Sequence, residues 1–285
     1  MKSHPALILF VFCLLAALAC VPLRAQSPTP AQQAYTEANE AYEKRENEKA
    51  LAGFERAISL DPKNAEYHLG RGKALARLAR HAESVESCKT ALQLKPDDPK
   101  ALRDLGHYQI NLHRVTDAIP PLARAESLDK KDREIYYHLA LAYYIQGDFA
   151  KAARHWQSCL SLAEKDDDKV SCSAWLYPSL VRAGRKAEAQ KVLERIKPEM
   201  KPKENTAYFD RLMLLKGAAG EEDVAKTMDK DGVSKPTVGY SVGLWHLLNG
   251  RRDRAREYFE KAATAEIKYA FGAVAAEAEL ARMPR

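Results

Sequence analysis

Residues 239–243 read GYSVG, the G-x-S-x-G pattern that in a hydrolase lifts a nucleophilic serine onto a sharp turn between strand and helix. Such a serine at Ser241 needs a β-branched strand before it, then an acid and a histidine after it, in that order. No strand-like run precedes Ser241, and His246 comes before Asp253, the reverse of the required order. Outside the N-terminal apolar segment the cysteines are Cys88, Cys159 and Cys172. None forms a C-x-x-C pair or a Cys/His group with zinc spacing. The eight histidines are scattered and read as surface or packing residues. Paired carboxylates and a phosphate-cradling loop are not found either. The expectation is therefore no catalytic residue, no metal site and no cofactor.

The N-terminus explains where such a chain is sent. Lys2 precedes an uninterrupted apolar run from Ala6 to Cys20, short for a bilayer span but suited to the core of an export signal. A small-residue site ending at Ala25 predicts a signal peptide over residues 1–25 with cleavage before Gln26. The alternative is cleavage before Cys20 and lipidation of that cysteine, although Ala17 stands where a lipobox has leucine. Either route gives an exported protein, periplasmic, secreted or lipid-anchored in the envelope. Removing residues 1–25 takes away Lys2 and Arg24 and no acids, leaving +4 of the formal +6. That charge is spread along the chain without a polybasic block, which argues against nucleic acid as a partner.

The elements that would position any site emerge from self-similarity. Ala38, Gly72, Gly106 and Ala140 recur every 34 residues, as do Ala50, Ser84, Ala118 and Ala152. Phe54, Cys88, Leu122 and Trp156 form a third ladder, and Ala57, Ala91, Ala125 and Cys159 a fourth. Small residues at positions 8, 20 and 27 with a bulky one at 24 resemble the tetratricopeptide repeat, a pair of antiparallel helices. One hairpin cannot bury its apolar face, so the expected fold is all-α, a right-handed superhelical solenoid of stacked hairpins. Four units span 31–166 and a fifth, shifted by about three residues, spans 170–198. A degenerate helical pair fits 204–232, a last unit 236–266, and a capping helix 267–283. Gly243 then falls at position 8 of the last unit, inside a helix, and Ser241 reads as a helix-packing serine.

In stacked units of this kind positions 2, 5, 9, 12 and 13 of each first helix face a concave groove. Counting from Ala31, Ala65, Pro99 and Arg133 gives Tyr35, Asn39 and Tyr42, then Lys73 and Arg77, then Lys100, Arg103, His107 and Asn111, then Tyr137, Leu141 and Tyr144. Aromatic and arginine anchors dominate protein interfaces. Tyr42, Lys73, Arg77, Arg103, His107, Tyr137 and Tyr144 are accordingly the expected contact residues for a protein or peptide partner. Some such domains clamp chaperone C-terminal carboxylates; Asn39 and Lys100 fit that set, but Tyr35, Gly70 and Asp104 stand at its other positions. Cys159, at position 27 of the fourth unit, faces the next unit's first helix, near whose start Cys172 lies. A Cys159–Cys172 disulfide is one reading, and a small buried thiol in place of alanine is the other.

The second half carries a narrower likeness. AWLYPSLVRAG (174–184) and YSVGLWHLLNGRRDRAREYFEKAATAEIKYAFGAVAAEAEL (240–280) resemble segments of the NlpI-type repeat lipoproteins, in the same order along the chain. That resemblance implies an outer-membrane adaptor for envelope proteases or cell-wall hydrolases, often dimeric. Pro178 departs from it within the W-L-Y helix, where it is expected to kink the helix. The favoured function class is a non-enzymatic exported scaffold, with an enzyme or enzyme subunit of the cell envelope as the alternative.

Overall fold

A computed structural model of the chain describes residues 27–284, and every regular element among them is an α-helix. The expected signal peptide and Cys20 lie outside the described residues. Four hairpins come first: α1 (Pro30–Glu43) with α2 (Asn47–Leu60), α3 (Ala65–Arg77) with α4 (His81–Leu94), α5 (Pro99–Asn111) with α6 (Val115–Leu128), and α7 (Arg133–Gln146) with α8 (Phe149–Ser161). A fifth hairpin follows, α9 (Asp166–Arg182) with α10 (Lys186–Arg195). The irregular stretch holds α11 (Thr206–Lys216) and the short α12 (Glu221–Ala225). Then come α13 (Ser234–Leu248) with α14 (Arg252–Ala263), and finally α15 (Phe271–Arg282). The hairpins stack into an all-α, right-handed solenoid.

The period is visible in the packing. Phe54, Cys88, Leu122 and Trp156 are fully buried, as are the small residues of positions 20 and 27 that make room for them. At the last unit a Cβ added to Gly243 would sit 2.6 Å from the Phe259 ring, so only glycine lets α13 and α14 approach this closely. The first helices are capped with the same period: Asn64, Asp98 and Asp132 accept hydrogen bonds from the backbone N–H groups of Glu66, Lys100 and Glu134. The turn inside each hairpin needs a left-handed residue. Gly147 fills it at φ +94°, but Arg45, Ala79 and His113 occupy the equivalent places at φ near +60°.

Proline does not break α9. Pro178 lacks the N–H that would bond the Ala174 carbonyl one turn earlier, and the helix runs through it to Arg182. The freed carbonyl accepts instead from the Arg211 guanidinium, Nη1 at 3.4 Å. A side chain from α11 thus substitutes for the missing backbone donor.

The C-terminal third departs from a simple cap. α15 covers α13 and α14 as expected, but it also reaches back across the concave side to α7 and α5. Tyr240 of α13 donates to the Tyr144 hydroxyl at 2.8 Å and stacks on Trp175. Arg182 pairs with the buried Glu279, and the Arg282 guanidinium donates to the Tyr144 and Ile145 carbonyls at the end of α7. His113 joins Glu277 at 2.8 Å. The solenoid is closed on itself through these contacts, and one core cluster runs from Ile110 to Ala276.

Cys159 and Cys172 are joined as a disulfide, with Cα atoms 6.2 Å apart, well within the range the bond allows. Among the described residues Cys88 is a buried free thiol whose pKa is pushed up by that burial. Cys159→Ala restores the residue found at this position in the first three repeats, so it removes the bridge with little change in packing. Under oxidising conditions it should lower unfolding stability by about 3 kcal/mol, the chain-entropy value for a loop of this size, read by urea denaturation. Ala79→Gly should act in the opposite sense. Relieving a left-handed alanine, against the extra freedom glycine brings to the unfolded chain, is expected to raise stability by roughly 0.5–1 kcal/mol in the same assay.

Candidate functional site: the concave groove

α1, α3 and α5 line an open cavity of about 600 Å³ on the concave side, and the C-terminal segment closes its far wall. Tyr42 comes from α1, Lys73, Ala76 and Arg77 from α3, and Arg103, Asp104, His107, Tyr108 and Asn111 from α5. Tyr269, Ala270 and Phe271, just before and at the start of α15, face them. A narrower cleft continues past Phe271 toward Arg133, Tyr137 and His138.

The expected groove residues divide into two groups. Tyr42, Lys73, Arg77, Arg103 and His107 line the open cavity, whereas Tyr137 is largely covered and Leu141 and Tyr144 lie in the core. Tyr144 is not a contact residue in this fold, because α13 and α15 occupy the face it presents. Tyr35 packs between Phe54 and Tyr67, Asn39 donates to the Tyr35 carbonyl, and Lys100 is exposed. Counting by repeat position did not find His81, Tyr108 or the Tyr269–Phe271 segment. His81 opens a second helix and Tyr108 is one residue off the groove-facing set. Tyr269 and Phe271 belong to no repeat, so periodicity carried no signal for them.

Charge in the groove is arranged in pairs. Arg103 donates from Nε and Nη2 to Asp104 Oδ1 at 2.9 and 2.7 Å, and from Nη1 to Asp132 at 2.6 Å. Burial works against its charge, but Asp104 and Asp132 outweigh that and raise its pKa. Asp104 itself is held above the usual carboxylate range by burial, against the pull of Arg103 and Lys73. Its Oδ2 has no hydrogen-bond partner, and Lys73 Nζ stands 4.0 Å away. Arg77 lies flat on the Tyr42 ring, 3.3 Å from its centroid, and donates to the Tyr42 carbonyl. Two more buried groups lack partners, both ring nitrogens of His81 and Asn111 Oδ1.

Stacked histidines lie behind Phe271. His107 and His138 stack at 4.3 Å, and Phe271 stands edge-on to both. Tyr269 meets His81 edge-on at 4.7 Å and remains about one-third exposed. Burial pushes the His138 pKa down to about 3; the hydrogen bond to the Glu134 carbonyl opposes this, and Arg103 and Arg133 add to it. His107 is lowered in the same way by burial, then by His138, His81 and Arg103.

Ser241 sits inside α13, fully buried. Its hydroxyl donates to the Thr237 carbonyl at 2.7 Å and accepts from Arg211 Nε at 2.8 Å. Both roles of the oxygen are structural, since it fixes the guanidinium that also serves the Ala174 carbonyl. The GYSVG match is a helix-packing sequence.

A closed helical-repeat solenoid with an aromatic, charge-lined concave cavity is the class of protein these features define. Tetratricopeptide repeat models match residues 35–99 and 133–166, so these two stretches of the chain are tetratricopeptide repeats. It is similar to a DnaJ homolog subfamily C member 7 homolog of Dictyostelium discoideum, 29% identical over 103 residues, 35% of this chain and 19% of that one. It is also similar to a peroxisomal targeting signal receptor of Candida albicans, 27% identical over 164 residues, 54% of this chain and 28% of that one. The chain thus spans less than a third of the length of these curated relatives. Among solved structures, MamA from Desulfovibrio magneticus RS-1 superposes with a TM-score of 0.52 at 20% identity, over 58% of this chain and 92% of that one. That likeness concerns the fold.

The neutral His138 makes the closed form sensitive to acid. A histidine whose folded pKa lies below its unfolded value of about 6.5 favours folding above that pH, and the advantage is lost as pH falls toward the folded value. Between pH 7 and pH 5 His138 alone should cost about 2 kcal/mol of stability. Urea denaturation at the two pH values checks this, and His138→Gln should shrink the difference by about that amount.

Proposed function

We propose that the protein is a non-enzymatic scaffold that holds a segment of a partner protein in its concave groove. The observation that carries this reading is the open cavity itself. Side chains from three successive repeats converge on it, aromatic surface alternates with cations, and buried polar groups there lack partners. These are the residue types that supply most of the energy at protein interfaces. The named role of one relative as a targeting-signal receptor is consistent with a repeat surface that reads short peptide segments. Export over residues 1–25, with or without lipidation of Cys20, and a place among envelope adaptors of proteases or cell-wall hydrolases complete the proposal. Persistence of the Cys159–Cys172 bridge would follow from an oxidising compartment. A homodimer is part of the same reading, since NlpI-type adaptors are often dimeric.

Photo-crosslinking from within the groove is the direct test. A photoreactive residue at Ala76, on the cavity wall, should capture a discrete protein partner in intact cells, whereas the same residue at Glu48, on the exposed side of α2, should not. Equal capture from both positions, or capture from Glu48 alone, would move the binding surface off the groove.

A further inference from the structure

The cavity does not present its charges evenly. Among the residues that line it, Lys73, Arg77 and Arg103 are cationic and Asp104 is the one carboxylate. Arg103 is spent on Asp104 and on Asp132, which also caps α7. Lys73 has no carboxylate closer than Asp104 Oδ2 at 4.0 Å. Arg77 has no carboxylate partner among the described residues; its guanidinium carbon stands over the Tyr42 ring and its Nη1 donates to the Tyr42 carbonyl. His81, 6% exposed, also lines the cavity, and neither ring nitrogen has a partner among the described residues. Burial lowers its pKa, and both ring nitrogens lie beneath the cavity surface. Lys73 and Arg77 thus present two cationic donors to space walled by Tyr42, Tyr108 and Tyr269.

We infer that the groove takes an acidic stretch of its partner, seating an internal Asp or Glu carboxylate on Lys73 and Arg77 with the flanking side chains against Tyr42, Tyr108 and Tyr269. This rests on the scaffold reading and specifies the chemistry of what the groove holds. An arginine already stacked on an aromatic ring is pre-oriented for a carboxylate, so less side-chain freedom is lost on binding. The same walls suit the apolar or aromatic neighbours of the acid better than a second charge. Asp104 is already bonded to Arg103 and sits on the α5 side of Lys73, so the lysine bridges two carboxylates without leaving either unpaired. A chain-terminal carboxylate offers the same charge, and the test separates the two sources.

The probe is a fluorescein-labelled octapeptide of alternating glutamate and tyrosine, blocked at both ends. Its partners are the glutamine–tyrosine counterpart, blocked, and that same glutamine peptide with a free C-terminus. Fluorescence anisotropy with the full mature chain should show the glutamate peptide binding about tenfold or more tightly than the blocked glutamine peptide, with the advantage shrinking as salt is raised. Lys73→Gln/Arg77→Gln, at partly exposed positions, should erase the difference, and circular dichroism should show an unchanged helical fold. Equal binding of the two blocked peptides overturns the acidic specificity while leaving the groove as a binding surface. A preference that survives the double substitution overturns the assignment to Lys73 and Arg77. A free-terminus glutamine peptide that matches the glutamate peptide overturns the internal carboxylate. Binding of none of the three overturns the inference, and the groove itself is then judged by crosslinking from Ala76.

Discussion

An aromatic stack decides the shape of this molecule. Trp156 of α8 stacks on Trp175 of α9 at 6.2 Å, Trp175 on Tyr240 of α13 at 5.3 Å, and Tyr240 on Phe259 of α14 at 5.6 Å. All four rings are fully buried. Each removes an apolar area of order 150–250 Å² from water, and together they bind the fourth, fifth and last hairpins into one core. Arg211 is enclosed by Trp175, Tyr208 and Tyr240, with its guanidinium carbon about 5 Å from each ring. A buried cation without a carboxylate is costly, and here the aromatic faces, the Ser241 hydroxyl and the carbonyl freed by Pro178 offset that cost together. Remove any one and the others lose part of their reason for being buried.

Closure by this stack partitions the concave face. An open solenoid of these repeats exposes the first helices of every unit along one continuous groove. Here α13 and α15 fill the part in front of α7 and α9, and the space in front of α1, α3 and α5 stays open. The polar ties at the seam are long-range: Arg182 with Glu279, Arg282 with the end of α7, and His113 with Glu277. His113 contributes twice, as the left-handed turn residue of its hairpin and as a partner of the C-terminal segment through Glu277 and the Lys268 carbonyl. The groove is therefore a bounded cavity, whose far wall is made by residues from the other end of the chain.

The electrostatics of that cavity follow from where each charge finds a partner. Arg103 is neutralised twice and serves as a strut between α5 and the start of α7. Asp104 is buried with one oxygen satisfied and one not, a condition that Lys73 relieves at a distance. The histidines behind Phe271 stay neutral because they are buried beside Arg103 and Arg133, and neutrality lets two imidazoles stack. The cations left over are Lys73 and Arg77, which solvent reaches.

The repeat ladders determined the local half of this structure. Positions 8, 20, 24 and 27 report contacts within a hairpin or between neighbours, separated by tens of residues and repeated often enough for pattern to rise above chance. The same count placed Gly243 and Ser241 inside a helix and set Cys159 beside Cys172, and it brought Tyr42, Lys73, Arg77, Arg103 and His107 to one cavity. Tertiary structure alone decided what happens to Tyr137, Leu141 and Tyr144, and that Pro178 leaves its helix continuous. Tyr240 meets Tyr144 across 96 residues and Glu277 meets His113 across 164. Those pairings occur once, in segments with no period, so nothing in the spacing announces them. Burying aromatic surface against whatever complementary face lies across the turn of the solenoid is a property of the assembled chain, and the sequence records it without displaying it.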